Sequence, residues 1–403
     1  MIGGSTTLNR VLRGQLCTGC GACASVVDKI EMEPSSDGFN RPVPKTALNW
    51  AEDSRIRKIC PGLQLHTPGH PEENPLWGRI VSLRKGYATG PALRFRASSG
   101  GALSAILVHL IESGAVDFVL HTGADPNDPT QNRTIASHSR DEIANAAGSR
   151  YAPSSPLAEI EAYLRIGRRF AFVGKPCDIA ALRAMAKSDE RIDQSIPWML
   201  SFFCAGVPSR RGADEILSTM QVPRGSVSKF RYRGNGWPGT ATAVLNDGTR
   251  RSMSYRDSWG RILSRHVQFR CKICPDGSGR SADIVCGDAW TGDERGYPVF
   301  EEGEGQSTIL ARTHKGETLI RSAIEAGLLR ANIAESNCLD QMQPGQVNRM
   351  RAIFARMAAL WLTAQPRPNF AGFRLWRLSL QASPVQLLRN FLGTGRRVLM
   401  GRK

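Results

Sequence analysis

The apolar positions of the 403-residue chain fall into short continuous runs and longer periodic ones. "FAFVG" at 170–174 is continuous and bounded by polar residues, the mark of a strand buried on both faces. "IAALRAMA" follows at 179–186 with helical spacing, and Asp178 stands where it can cap that helix. "PWMLSFFCAGVPS" at 197–209 repeats the arrangement: an apolar strand ending at Cys204, a glycine, then a segment headed by Ser209 that reads as helical. Upstream, Leu103, Ile106, Leu107, Leu110 and Ile111 are spaced as one face of an amphipathic helix. "DIVCGDAW" at 283–290 reads as a further strand containing Cys286. If the strands before Cys177 and Cys204 are parallel members of one sheet, both thiols emerge at its carboxyl edge, where open α/β sheets bind ligands. The loop "DPNDPTQNR" (125–133) and the linker "HTPGHPEENP" (66–75) punctuate the pattern. No run spans a bilayer, since 102–120 is interrupted by His109, Glu112 and Asp117.

Composition adds little until charge is located. Apolar residues make up 41% and charged ones 22%, which is ordinary for a globular chain. The net charge is +17, but eleven basic residues and no acidic one follow Asp340, so the first 340 residues carry only +6. Segment 370–403 mixes those arginines with Phe370, Phe373, Trp376, Leu388 and Leu392. Such a basic amphipathic tail can lie on an anionic membrane surface, dock on an acidic protein, or be a solvated helix. The basic residues do not interleave with the cysteines and no base-reading module is present, so no nucleic-acid partner is expected. The N-terminus lacks the apolar core of a secretory signal, which places the chain in the cytoplasm, peripheral to the inner membrane face if the tail binds lipid. Thiols there stay reduced, so the ten cysteines are not expected to form disulfides, and their clustered spacing favours metal binding.

Cys17, Cys20 and Cys23 recur at steps of three in "CTGCGACAS", and Cys60 precedes Pro61. Three thiolates on a tight loop with a remote Cys-Pro form the ligand pattern of a ferredoxin-type 4Fe-4S site. Zinc, the competing occupant, more often uses paired Cys-x-x-Cys knuckles. "CKIC" supplies one such pair, Cys271 and Cys274, whose candidate partners are Cys177 and Cys204 at the two strand ends. The competing view is two inert core cysteines beside an unrelated redox pair. Cys286 and Cys338 are not assigned as ligands.

Ser98, Ser99, Gly100 and Gly101 directly precede the amphipathic helix, where free amides favour a phosphate but also serve as a simple cap. "GSRYAPS" contributes Gly148, Ser149, Arg150 and Tyr151. "FRYRGNGWPG" contributes Arg233, Gly234, Asn235, Gly236, Trp237 and Pro238, either a cradle for a planar anion or a hairpin turn with exposed arginines.

The ordered motifs "CTGCGAC", "ASSGGALSAIL", "GSRYAPS", "FVGKPCD", "SFFCAGVPS", "RYRGNGWPG", "CKICPD" and "GDAW" resemble the coenzyme F-420 hydrogenase/dehydrogenase beta-subunit family over about residues 15–300. The ferredoxin-like head resembles its two-cluster branch, which includes 7-hydroxymethyl chlorophyll a reductase. The resemblance implies FAD with two 4Fe-4S clusters, the first on Cys17, Cys20, Cys23 and Cys60 and the second on Cys177, Cys204, Cys271 and Cys274. It further implies FAD against Ser98–Gly101, Gly148–Tyr151, Lys175 and Arg233–Pro238. The expected fold is α/β (α+β): a small ferredoxin-like iron–sulfur head and linker (1–75), a central mixed α/β flavin domain (76–340) and a basic helical extension (341–403). The expected function is an oxidoreductase passing electrons between a ferredoxin-like carrier and a small-molecule substrate. A non-catalytic electron-relay beta subunit, with or without deazaflavin, is the alternative. Tyr151, His266 and Asp288 are candidate proton donors among which the spacing selects none.

Overall fold

A computed structural model describes residues 4–67, 73–290, 292, 299, 301–335 and 337–401. The expected linker at 66–75 therefore lies partly outside the described residues, as do Arg402 and Lys403 of the tail. The N-terminal head carries the hairpin β1 (Ile30–Pro34) and β2 (Asn40–Pro44), the helix Trp50–Ile59 with its Asn49/Glu52 capping box, and the short strand β3 (Gln64–His66).

The central sheet has eight strands: β4 (Ser82–Ala88), β5 (Phe118–Ala124), β6 (Asn132–Ser137), β7 (Phe170–Val173), β8 (Trp198–Phe202), then, beyond an insertion, β12 (Ile284–Asp288), β13 (Ser307–Ala311) and β14 (Leu329–Ile333). The insertion is a three-stranded antiparallel sheet of β9 (Val227–Arg231), β10 (Thr240–Leu245) and β11 (Arg250–Ser254). Spatial order in the large sheet is β14-β4-β13-β12-β8-β7-β5-β6. Its centre, β12-β8-β7-β5, is parallel, and antiparallel strands flank it on both sides.

The continuous apolar run at 170–173 follows from this position. Phe170 and Phe172 face one core with Ile179 and Leu182 of the helix Pro176–Ala186, while Ala171 and Val173 face the other with Ile106 and Leu110 of Ala102–Glu112. Both rings are fully buried, each contributing roughly 2–3 kcal/mol of apolar transfer. Asp178 closes the helix start by accepting from the Lys175 amide at 2.9 Å. Strands β7 and β8 are parallel neighbours, so the loops carrying Cys177 and Cys204 leave the same edge.

The C-terminal segment is laid over the body. After the helix Pro344–Leu362, strand β15 (Asn369–Ala371) pairs in parallel with β3 of the head. Leu360 shares a core with Val11, Leu16 and Cys17 of the head and with Phe269 and Ile273 beside the Cys-x-x-Cys loop. Trp77, just beyond the undescribed part of the linker, is wholly buried and donates to Asp340 at 2.7 Å. Among the described residues no helix is long and apolar enough to cross a membrane.

Candidate functional site

A cavity of about 320 Å³ opens at the carboxyl edge of the parallel strands, within the usual range for small-molecule sites. The ends of all four parallel strands line it: Thr122 from β5, Gly174 and Lys175 after β7, Phe203 and Cys204 after β8, and Cys286 to Asp288 on β12. The start of the helix Ala102–Glu112 closes one side, where Gly101 has φ +75° and offers no side-chain cap, while the Ala102 amide donates to Ser307 Oγ at 3.5 Å.

The predicted ligand loops divide here. Ser98, Ser99, Gly101, Gly148, Ser149, Arg150, Tyr151, Lys175 and Arg233 line the cavity; Gly100, Gly234, Asn235, Gly236, Trp237 and Pro238 do not. Gly100 is packed against the sheet, with Gly86 O 2.7 Å from where a Cβ would stand. Segment 232–239 is the loop of the β9–β10 hairpin, but its arginine is turned inward. Arg233 forms a fork on Asp288, with Nη1 to Oδ2 at 2.8 Å and Nη2 to Oδ1 at 2.7 Å, and its Nε donates to Pro238 O. Burial would lower its pKa; the Asp288 carboxylate outweighs that and holds it above the ordinary range. Arg150 is likewise committed to the carbonyls of Phe230 and Pro129 and to Asn132. Ser98 accepts from the Ser149 amide and donates to Arg233 O, tying three loops together. Of the proton-donor candidates, Tyr151 and Asp288 line the cavity, whereas His266 bonds Glu215 at 2.7 Å outside it.

The first predicted thiol set shares one cavity, and members of the second are near neighbours. Cys17, Cys20, Cys23 and Cys60 all line one small cavity of about 20 Å³ walled by Leu8, Val11, Ile56 and Ile59. In the second set Cys177 neighbours Cys204 and Cys271, each of which neighbours Cys274, and a Cβ on Gly206 would stand 3.1 Å from that of Cys271. Among the described residues no three His, Cys, Asp or Glu converge on a point that would hold a single metal ion. A cube makes a different demand, one thiolate to each iron corner, so its ligands stand apart from one another. Burial pushes Cys20 up to about 12, with Asp178 adding to the effect, and pushes Cys60 to about 11 and Cys204 to about 12. Burial alone thus keeps these thiols protonated at neutral pH. A buried residue joins the sets: Gln268 Nε2 lies 3.4 Å from both Thr18 O and Cys271 Sγ. Lys175, bound to Ser154 Oγ and Asp178, is influenced by both Cys177 and Cys20.

Several lining residues escaped the sequence reading. Trp259 comes from the π-helical segment Arg256–Ile262 in the insertion, Tyr255 immediately precedes it, and Gln343 and Gln346 come from the C-terminal segment. Gln346 and Arg349 donate to Cys204 O at 3.0 and 2.7 Å, Gln343 to Asp288 O at 2.7 Å, and Arg356 to Lys272 O. The one local signal was the glutamine pair at the start of a helix beginning with Pro344, which periodicity alone does not distinguish from a solvated face.

Two family models match the chain, together over more than half of it. The coenzyme F420 hydrogenase/dehydrogenase beta subunit N-terminal model covers residues 84–161, and the C-terminal model of the same subunit covers 167–336. The chain is similar to the beta subunit of coenzyme F420 hydrogenase from Methanococcus voltae, 27% identical over 67% of this chain and 88% of the relative. It is also similar to the beta subunit of F420-dependent formate dehydrogenase 1 from Methanococcus maripaludis, 27% identical over 60% of this chain and 59% of that one. Among solved structures, a chain of the F420-reducing nickel–iron hydrogenase complex from Methanosarcina barkeri matches with a TM-score of 0.54 at 20% identity, covering 71% of this chain and 95% of that one. These relatives are subunits of oxidoreductase complexes. The matched span includes Cys177, Cys204, Cys271 and Cys274 and most of the large cavity's lining, and leaves outside it the head and the C-terminal segment that contributes Gln343 and Gln346. The chain belongs to the coenzyme F420 hydrogenase/dehydrogenase beta-subunit family.

Proposed function

We propose that the chain is an iron–sulfur flavoprotein oxidoreductase that passes electrons between a one-electron carrier such as ferredoxin and an organic substrate, using two 4Fe-4S clusters and FAD. The observation that carries this is continuity: Cys204 belongs to the second thiol set and also lines the large cavity, and Lys175, which lines the same cavity, feels both Cys177 and Cys20 of the first set. When bound, a 4Fe-4S cluster would pass electrons singly, and FAD would take them one at a time and deliver them as a pair. Two carrier molecules and two protons then account for each substrate bond reduced.

The residues have separable tasks. Cys17, Cys20, Cys23 and Cys60 would hold the first cluster, and Cys177, Cys204, Cys271 and Cys274 the second. Gly101 and Gly148 let backbone approach a ligand, and the positive end of the helix Ala102–Glu112 would favour its phosphates. Arg233 and Asp288 fix the floor of the cavity under Tyr255 and Trp290, whose rings lie 4.4 and 5.1 Å from the guanidinium carbon. The four-cysteine head supports a two-cluster reading, and the substrate is a separate matter.

A second reading, an electron-relay beta subunit serving a partner and using deazaflavin, is favoured by the relatives, which are named as F420-dependent subunits. Both readings can be tested with FAD-loaded, anaerobically purified protein mixed with reduced ferredoxin. Bleaching of the flavin band is expected, and it should slow at least tenfold in Cys177→Ser protein that still binds flavin. Equal rates would remove the second thiol set from the path. Turnover of deazaflavin by the chain, with none of other organic acceptors, would favour the relay.

A further inference from the structure

Arg270 immediately precedes Cys271 and is 1% exposed. Its backbone belongs to the loop of the second thiol set, but its side chain reaches the first: Nη2 donates at 2.7 Å to the carbonyl of Pro61, the residue after Cys60. The guanidinium carbon lies 5.1 Å from the ring of Phe370, on the tail strand that pairs with the head. Nε and Nη1 are buried and have no hydrogen-bond partner. A guanidinium stripped of water with two nitrogens unpartnered is costly unless an anion is supplied.

The other buried cation between the sets does not fill this role. Lys175 Nζ sits 2.8 Å from the Asp178 carboxylate, so that pair is neutral overall. The anion that Arg270 lacks is what the two thiol sets become when loaded, since four thiolates around a 2+ cube leave each site at about −2.

We propose that Arg270 is a counter-cation shared by the two cluster sites, a positioning residue whose single charge raises the reduction potential of both and keeps them matched for electron transfer. This rests on the two-cluster reading above. Net charge and hydrogen bonding to sulfur are what set such potentials, so a cation facing both sites acts on both.

The test is an anaerobic redox titration of the full-length protein followed by electron paramagnetic resonance, comparing wild type with Arg270→Gln and Arg270→Lys. Wild type should hold about eight iron with two reducible signals; fewer would refute the two-cluster reading itself, and the proposal with it. Gln keeps a donor for Pro61 O but removes the charge. In that variant, at full iron content, the equilibrium constant for reducing each cluster should fall at least tenfold, about 59 mV per decade for a one-electron couple. Lys should retain most of the wild-type potential at both sites. A shift at one site alone, or none at either, would overturn the shared role. If Arg270→Gln loses iron, the Lys variant decides: potentials displaced as far as by a neutral substitution, such as Arg270→Met at the site that keeps its iron, would overturn it equally.

Discussion

The buried fork between Arg233 and Asp288 makes a sharp prediction. Arg233 is 2% exposed, gives both terminal nitrogens to one carboxylate and its Nε to Pro238 O, and Asp288 also accepts from Trp237 Nε1 at 3.1 Å. Asp288→Asn removes the counter-charge and leaves a guanidinium buried beside a neutral amide. Breaking one side of such a pair costs about 3–5 kcal/mol, far more than a surface ion pair contributes. Arg233→Met leaves a carboxylate in the cavity wall at similar cost. Combining the two removes both charges, so the double variant should be less destabilised than the sum of the singles, with a coupling of about 2 kcal/mol or more. Anaerobic urea unfolding of the flavin-loaded protein, followed by circular dichroism and flavin fluorescence, measures all four corners of the cycle. Singles that each cost less than about 1 kcal/mol, or strict additivity, would refute the claim that this pair sets the cavity floor.

Other expectations concern single positions. His121 is buried against Ser137, and burial lowers its pKa to about 4, from about 6.5 in the unfolded chain. Protonation therefore favours unfolding: its contribution is complete above pH 6.5 and is lost, by about 3 kcal/mol, as pH falls through 4, so His121→Gln should flatten the acid limb of a thermal-midpoint profile. Gly21 has φ +87° and a Cβ there would stand 2.6 Å from the Ala158 amide, so Gly21→Ala should cost about 1–3 kcal/mol and release iron from the head, read by iron assay. Cys286→Ser should leave the iron content unchanged, because its thiol lies on β12 facing the cavity, whereas Cys204→Ser should lose about four iron.

What the sequence made legible was local. Continuous apolar runs located β7 and β8, and the residues after them placed Cys177 and Cys204 at one edge before any coordinate. The Cys-x-x-Cys-x-x-Cys spacing likewise foretold a loop whose three thiols share a cavity. Arginine partners were not legible, because a guanidinium reaches across the fold and nothing in "FRYRGNGWPG" says that Arg233 will meet Asp288, fifty-five positions later. The same holds for Arg270 and Pro61, which are 209 positions apart. The tail was read by its charge as a surface element, but Arg349 and Arg356 are spent on carbonyls of the cysteine loops. Composition records how many charges a segment has and says nothing of which ones the fold turns inward.

The central claim is that one chain holds two cubes beside one flavin. Anaerobic purification with iron, acid-labile sulfide and flavin quantitation tests it directly. About eight iron, eight sulfide and one FAD per chain are expected. Four iron would remove one thiol set from the account, and a colourless protein carrying zinc would contradict it outright.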